Sequence, residues 1–394
     1  MDVRRRLARW ALARPPVLLV DAPGNRRLGW RVEAELDRRH WPLALSPADT
    51  DLLLVVGEPG PNLRAAVETL WSQTPLPRHR HHIRQVGELA GQLDAAVAAL
   101  TERGTALAPA RPTPRDLLLN GAGHRVPGRA ADGPAGPADG HEGHGMHHGG
   151  EVGDPALGDG HEGHDMHHGG EVAGLAMAGT APDRDGLTLD SLQVCLGPVL
   201  PAWPTGLMVR GSLQGDILTD VDVSWADPAD RTAGDAGADG DAEADGDAYV
   251  VALSQLAQFL LIAGWPVAAR SARLARSAVL SPEPARAAQG RRASARLAHR
   301  VRRSRTLAWS VRRLGLASAS AATDGTGWPD GDVLNRVRQW CDLAAGDGTH
   351  LPAGPSLADL AVRLEGAELA AVRLIVASVD MNPAAVGARR GSGV

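Results

Sequence analysis

The chain has 394 residues and a formal net charge of −5, enough length for two or three domains and the wrong sign for a protein that grips nucleic acid along its whole surface. Apolar residues make up 43% of it, which supports real cores, while 47 glycines and 28 prolines indicate that a sizeable part is not packed. The two cysteines, Cys195 and Cys341, lie far apart; an all-cysteine iron–sulfur cluster needs four thiolates, and a lone pair of this kind reads as two buried thiols rather than a disulfide framework.

The opening MDVRRRLARWALARPPVLLV is basic, and its apolar run is interrupted by Arg14 and by Pro15–Pro16. It reads as a short amphipathic helix over Leu7–Ala13, stopped by the prolines, and not as a signal peptide. The nearest approach to a spanning segment, LAQFLLIAGWPVAA, is too short for one. The expectation is a cytoplasmic protein, with peripheral attachment to the inner face of a membrane left open.

Residues 1–104 predict a doubly wound α/β unit of the flavodoxin-like kind. VLLVDAP (Val17–Pro23) is an apolar run ending in turn residues, as a buried parallel strand would be. A helix follows over Val32–Arg39, WPLALS offers a second strand, and TDLLLVVGEPG is the clearest strand, closed by Gly57 and Pro59. Leu63, Ala66, Val67 and Leu70 recur at helical spacing, and a last helix runs from Val86 to Arg103.

Residues 105–181 are dominated by Gly, Pro, His and Asp and predict a disordered linker. Inside it DGHEGHGMHHGGEV (Asp139–Val152) is repeated as DGHEGHDMHHGGEV (Asp159–Val172). Residues 182–226 then alternate in the β manner: Leu207, Val209, Gly211 and Leu213 share a face, and LQGD makes a turn, giving a small antiparallel meander with Trp203 and Trp225 on it. Residues 227–248 read as an acidic disordered loop. Residues 249–394 predict a helical domain, so that the chain after the linker is α+β. Its helices fall at Val250–Ala263, Val267–Val279, Arg291–Leu314, Val333–Leu343 and Leu357–Ser378, the last with Glu365 placed to pair with Arg363 or Arg373.

Two stretches resemble a known family. SPADTDLLLVVGEPGPNLRAAVETLWSQTPLPRHRHHI (Ser46–Ile83) resembles the small, iron–sulfur subunit of respiratory complex I and its hydrogenase relatives, in the Ala48–Asp49 pair, the strand ending at Gly57 and the TPLPRH segment. LQVCLGPVLPAWPTGLMVRGSLQGDILTDVDV (Leu192–Val223) looks like the start of the large, hydrogenase-like subunit, with its GP-x-x-P and L-x-G-D turns. The resemblance implies a fusion of the two subunits, and the departures imply one without cofactors. Where the small subunit has adjacent cysteines this chain has VDAPGNRR; after TPLPRH it has RHHIRQ, with no thiol. Where the large subunit has histidines that approach the quinone, this chain has Leu200 and Trp203, and Cys341 has no second cysteine at CxxC spacing to hold nickel.

The doublet is the strongest chemical signal. It offers His141, His144, Met146, His147 and His148, then His161, His164, Met166, His167 and His168. Imidazole binds Ni, Cu(II) and Zn, and thioether adds affinity for Cu(I); glycines between the ligands let a loose chain wrap an ion. The opposing reading is a solvated linker that grew by duplication. PRHRHHIR (Pro77–Arg84) reads as a polar loop before it reads as an anion or metal patch. The Arg-rich stretch Arg291–Arg305 fits the acidic loop or an acidic partner better than nucleic acid. VDAPGN lacks the glycine spacing of a nucleotide turn.

Three functions follow. The first is a non-catalytic accessory or scaffold protein related to complex I or hydrogenase subunits, docking on such a complex and carrying a metal-binding tether. The second is a metal-handling protein for nickel, copper or zinc. The third is an oxidoreductase component like those of NADH dehydrogenase.

Overall fold

The computed structural model describes residues 12–85, 87–105, 171–172, 175–176, 179–182, 188–227, 248–316, 331–348, 351 and 354–381. The helix read at Leu7–Ala13 lies mostly outside them, as do the His/Met doublet up to Gly170 and most of the acidic loop.

Two runs of aliphatic residues make the first sheet. Strands β1 (Val17–Asp21), β2 (Leu52–Val56) and β3 (His79–Ile83) are parallel, with β2 in the middle. Helices α1 (Arg26–Arg39), α2 (Pro61–Gln73) and α3 (Leu89–Thr105) cover both faces. Val17, Leu52, Leu54, Val56 and Ile83 pack with Leu28, Val32 and Leu36 of α1 and Leu93 and Ala96 of α3. Leu18, Val20, Leu53 and Val55 pack with Leu63 and Val67 of α2. Every residue of β2 is therefore buried, which is why the run does not alternate.

Three details differ from the sequence reading. HRHHI, read as part of a polar loop, is strand β3: it sits at the sheet edge, Ile83 is its one fully covered residue, Arg80 is exposed and its histidines are half-buried. WPLALS contributes a single bridge, Leu43 beside Val17. Helix α1 starts at Arg26, well before Val32.

The second sheet is antiparallel. The meander of β7 (Thr188–Leu196), β8 (Leu207–Gln214) and β9 (Ile217–Trp225) is flanked by β6 (Gly179–Pro182), from the stretch read as linker, and by β10 (Ala367–Glu368). Residues 110–177 form a separate unit, of which the antiparallel pair β4 (Glu171–Val172) and β5 (Leu175–Ala176) is described.

Alternation along β8 breaks at a bulge between Arg210 and Ser212, opposite Asp220, whose φ is 53°. A bulge leaves backbone groups unpaired. Here the Glu365 carboxylate accepts from the N–H groups of Asp220 at 3.1 Å and Val221 at 3.0 Å. That corrects the expected pairing of Glu365 with an arginine of its own helix.

The helices are α4 (Ala248–Ile262), α5 (Pro266–Val279), α6 (Pro284–Arg302), α7 (Arg305–Val311), α8 (Val333–Ala345), α9 (Leu357–Leu364) and α10 (Leu369–Ala377). The single helix expected over Leu357–Ser378 is two, because Gly366 turns the chain at a φ of 73° and the next residues pair with β9. The helix expected over Arg291–Leu314 is also two, restarted at Ser304, whose hydroxyl accepts from the Leu307 N–H. The meander and these helices share one core, in which Leu207, Val209, Leu218 and Trp203 pack with Phe259, Trp340, Leu364 and Ile375. No helix among the described residues is long and apolar enough to cross a membrane.

Candidate functional site

A cleft of about 480 Å³ opens at the carboxyl end of β1. Leu43 lies on one side of β1 and β2 on the other, so the chain reverses direction across the sheet at this strand. Open α/β sheets bind ligands at such a point. The opposite wall is the turn Val199–Thr205 that precedes β8, and α4, α5 and the segment Val376–Met381 close the rest. Val199 packs against the α2 side of the sheet. The Trp203 indole N–H donates to the Leu207 carbonyl at 2.9 Å, which fixes the turn.

The polar end of the cleft is a network between α1 and the helical part. Arg276 of α5 is buried, with a relative exposure of 1%. Its guanidinium donates to the Glu33 carboxylate and, at 3.0 Å, to the Ser254 hydroxyl. It also stacks over Trp30, 5.1 Å from the ring centroid, and the Trp30 N–H donates to the same hydroxyl at 2.9 Å. Nearby, Asp380 accepts from Arg26 at 2.8 Å and from the Gln255 amide at 2.6 Å. Each of these charges has an opposite charge in contact, which is the condition for carrying them out of water.

Asp21 does not meet that condition. It ends β1, its Oδ1 is buried without a hydrogen-bond partner, and its carboxylate rests on Gly29 of α1, where an added Cβ would stand 2.5 Å from Oδ2. Burial pushes its pKa from 3.8 up to about 7, with Glu33 repelling the charged form and Arg276 partly offsetting both. A carboxyl near its midpoint at neutral pH can accept or donate a proton. It can also bond to a ligand in either state.

The residues singled out from the sequence fall elsewhere. His141, His144, Met146, His147, His148, His161, His164, Met166, His167 and His168 lie outside the described residues, and among those described no three potential ligands gather in a metal-binding group. On β3, the rings of His79 and His81 are 6.3 Å apart between centroids, and His82 contacts the Gly57 carbonyl. In the Arg-rich stretch, Arg300 stacks over Trp265 and Arg302 pairs with Asp342. Of the two thiols expected to be buried, Cys341 is, and burial raises its pKa to about 12, but Cys195 is exposed. Leu200 and Trp203 do line the cleft.

Sequence reading missed Asp21, Glu33, Ser254, Arg276 and Asp380. Only Asp21 had a signal, as an acid closing an apolar strand. Glu33 and Arg276 sit in helices whose charges look solvated until the partner helix is known. Comparison with protein families, with curated proteins and with solved structures finds no match for this chain.

Proposed function

We propose that this chain is a non-catalytic accessory or scaffold protein of the complex I and hydrogenase kind, whose flavodoxin-like part and meander part close on one ligand-binding cleft. The observation that carries this reading is the cleft itself: the end of β1 and the Val199–Thr205 turn face one another across it. Both stretches that resemble separate subunits contribute to its wall, Ser46, Pro47, Leu70 and Gln73 from the first and Val199–Thr205 from the second. A cleft of this size, largely apolar with a few convergent polar groups, suits a small molecule. Carboxyls, guanidiniums, amides and hydroxyls line it, groups that can hold and orient such a molecule.

Affinity capture with the tagged full chain tests the scaffold role. Recovery of dehydrogenase or membrane-arm subunits of a complex I-like assembly is the expected result, and their absence from a capture that retains the intact chain would overturn it. The His/Met doublet favours a second reading, a metal-handling protein for nickel, copper or zinc, in which the folded part is a carrier. Loss of function on deleting residues 139–172, with the cleft intact, would put that reading first.

A further inference from the structure

The charges lining the cleft do not cancel locally. Its walls carry three carboxyls, Asp21, Glu33 and Asp380, and three guanidiniums, Arg26, Arg273 and Arg276. Arg26 is paired with Asp380 and Arg276 with Glu33. Arg273 turns away to Asp37, which lies outside the wall and also takes Arg270. Asp21 is left without an ion pair among the described residues, and one of its oxygens has no hydrogen bond at all. Beside it the cleft is lined by Trp30, Leu43, Leu70, Leu200, Leu261 and Val379.

We propose that the cleft binds a small amphipathic cation, an apolar body bearing a primary or secondary ammonium whose N–H groups bond the Asp21 carboxylate. The proposal rests on reading the cleft as a ligand site and names the ligand's chemistry. A neutral hydroxyl would satisfy the hydrogen bond but not the charge. An ammonium does both, and in a partly dry site the Coulomb gain is larger than in water. An anionic ligand would meet Asp21 and Glu33 together, while Arg26 and Arg276 already pair with Asp380 and Glu33, only the buried Nε of Arg276 being without a hydrogen bond. Gly29 supports the arrangement, since any side chain there would push the carboxylate away.

Calorimetric titration of the full chain with 4-phenylbutylamine, 4-phenylbutanol and 4-phenylbutyrate decides it. The amine is expected to bind about tenfold more tightly than the alcohol, from one charge-assisted hydrogen bond, and the acid more weakly than either. Asp21→Asn keeps the shape of the site but removes its charge, so it should remove the amine's advantage and leave amine and alcohol binding alike. The group that titrates faces Glu33 from α1 and Arg276 from α5; the amine's affinity should therefore rise between about pH 6 and pH 8 as Asp21 ionises. Equal binding of amine and alcohol, or an amine affinity that survives Asp21→Asn, would overturn the cation while leaving the cleft as a ligand site. Failure of all three compounds to bind would overturn both.

Discussion

The carboxylate of Asp227 caps α2 at the backbone of Asn62. Its Oδ1 accepts from the Asn62 N–H at 2.8 Å and its Oδ2 from the Leu63 N–H at 3.0 Å. The residue at the N-cap of α2, Gly60, has no side chain to do this, and an added Cβ there would lie 2.4 Å from the Asp227 Cγ. Asp227→Ala should therefore destabilise the protein by about 1 kcal/mol, with Asp227→Asn keeping part of that. Urea unfolding of the two variants beside the parent measures it.

The raised pKa of Asp21 makes stability fall as pH rises. Between its unfolded value of 3.8 and about 7, the folded protein holds a proton that the unfolded chain has released, and above that window the full cost is present. Asp21→Asn cannot ionise and escapes that cost. It should melt higher than the parent at pH 8 and no higher at pH 4, the gap reaching at most about 4 kcal/mol. Equal pH profiles for the two proteins would show that Asp21 is not buried as described.

Arg276 and Glu33 should prove strongly coupled. Arg276→Met leaves Glu33 without its donor and the Ser254 hydroxyl with Trp30 alone, a loss of about 3 kcal/mol for an uncompensated, partly buried charge. Adding Glu33→Gln to it should recover a good part of that loss. A double-mutant cycle by urea unfolding reads the coupling directly.

Most of the framework was legible in the residues. The run LLLVV could only be a strand covered on both sides, and the alternation before Gly211 gave a meander with the right turn at Gly215–Asp216. Strand β3 was not legible, because HRHHI has neither an apolar run nor a clean alternation; its place is set by pairing with β2. The break at Gly366 was hidden by a helical stripe continuing across it. The cleft was the least legible part, since it is made by α1 and α5, which are far apart in sequence. A charged residue such as Glu33 or Arg276 reads as solvated until its partner is known.

The two thiols should react differently. Exposed Cys195 is expected to take up Ellman's reagent in the native protein, whereas Cys341, buried with its thiol pushed up to about 12, should react only after unfolding. A native count of two rapidly reacting thiols would contradict the packing of α8.

The doublet at 139–172 makes a prediction of its own from composition. The full chain should bind Ni(II) or Cu(II) in calorimetric titration, with affinity lost as histidines protonate below about pH 6.5. Deleting the doublet should abolish that binding without moving the melting temperature of the rest. Retained stoichiometry after the deletion would place the ligands elsewhere.

The contacts between the α/β part and the helical part join residues far apart in the sequence. Trp30 packs with Val250 and Val251, Glu33 and Asp37 on α1 take arginines from α5, and Asp227 grips α2. None of these contacts runs through the sequence between residues 110 and 177. Among the described residues, the bonds that recognise one half by the other lie in the halves themselves. The cleft is thus held by side-chain pairs between stretches far apart in the sequence, Glu33 with Arg276 and Asp227 with the start of α2.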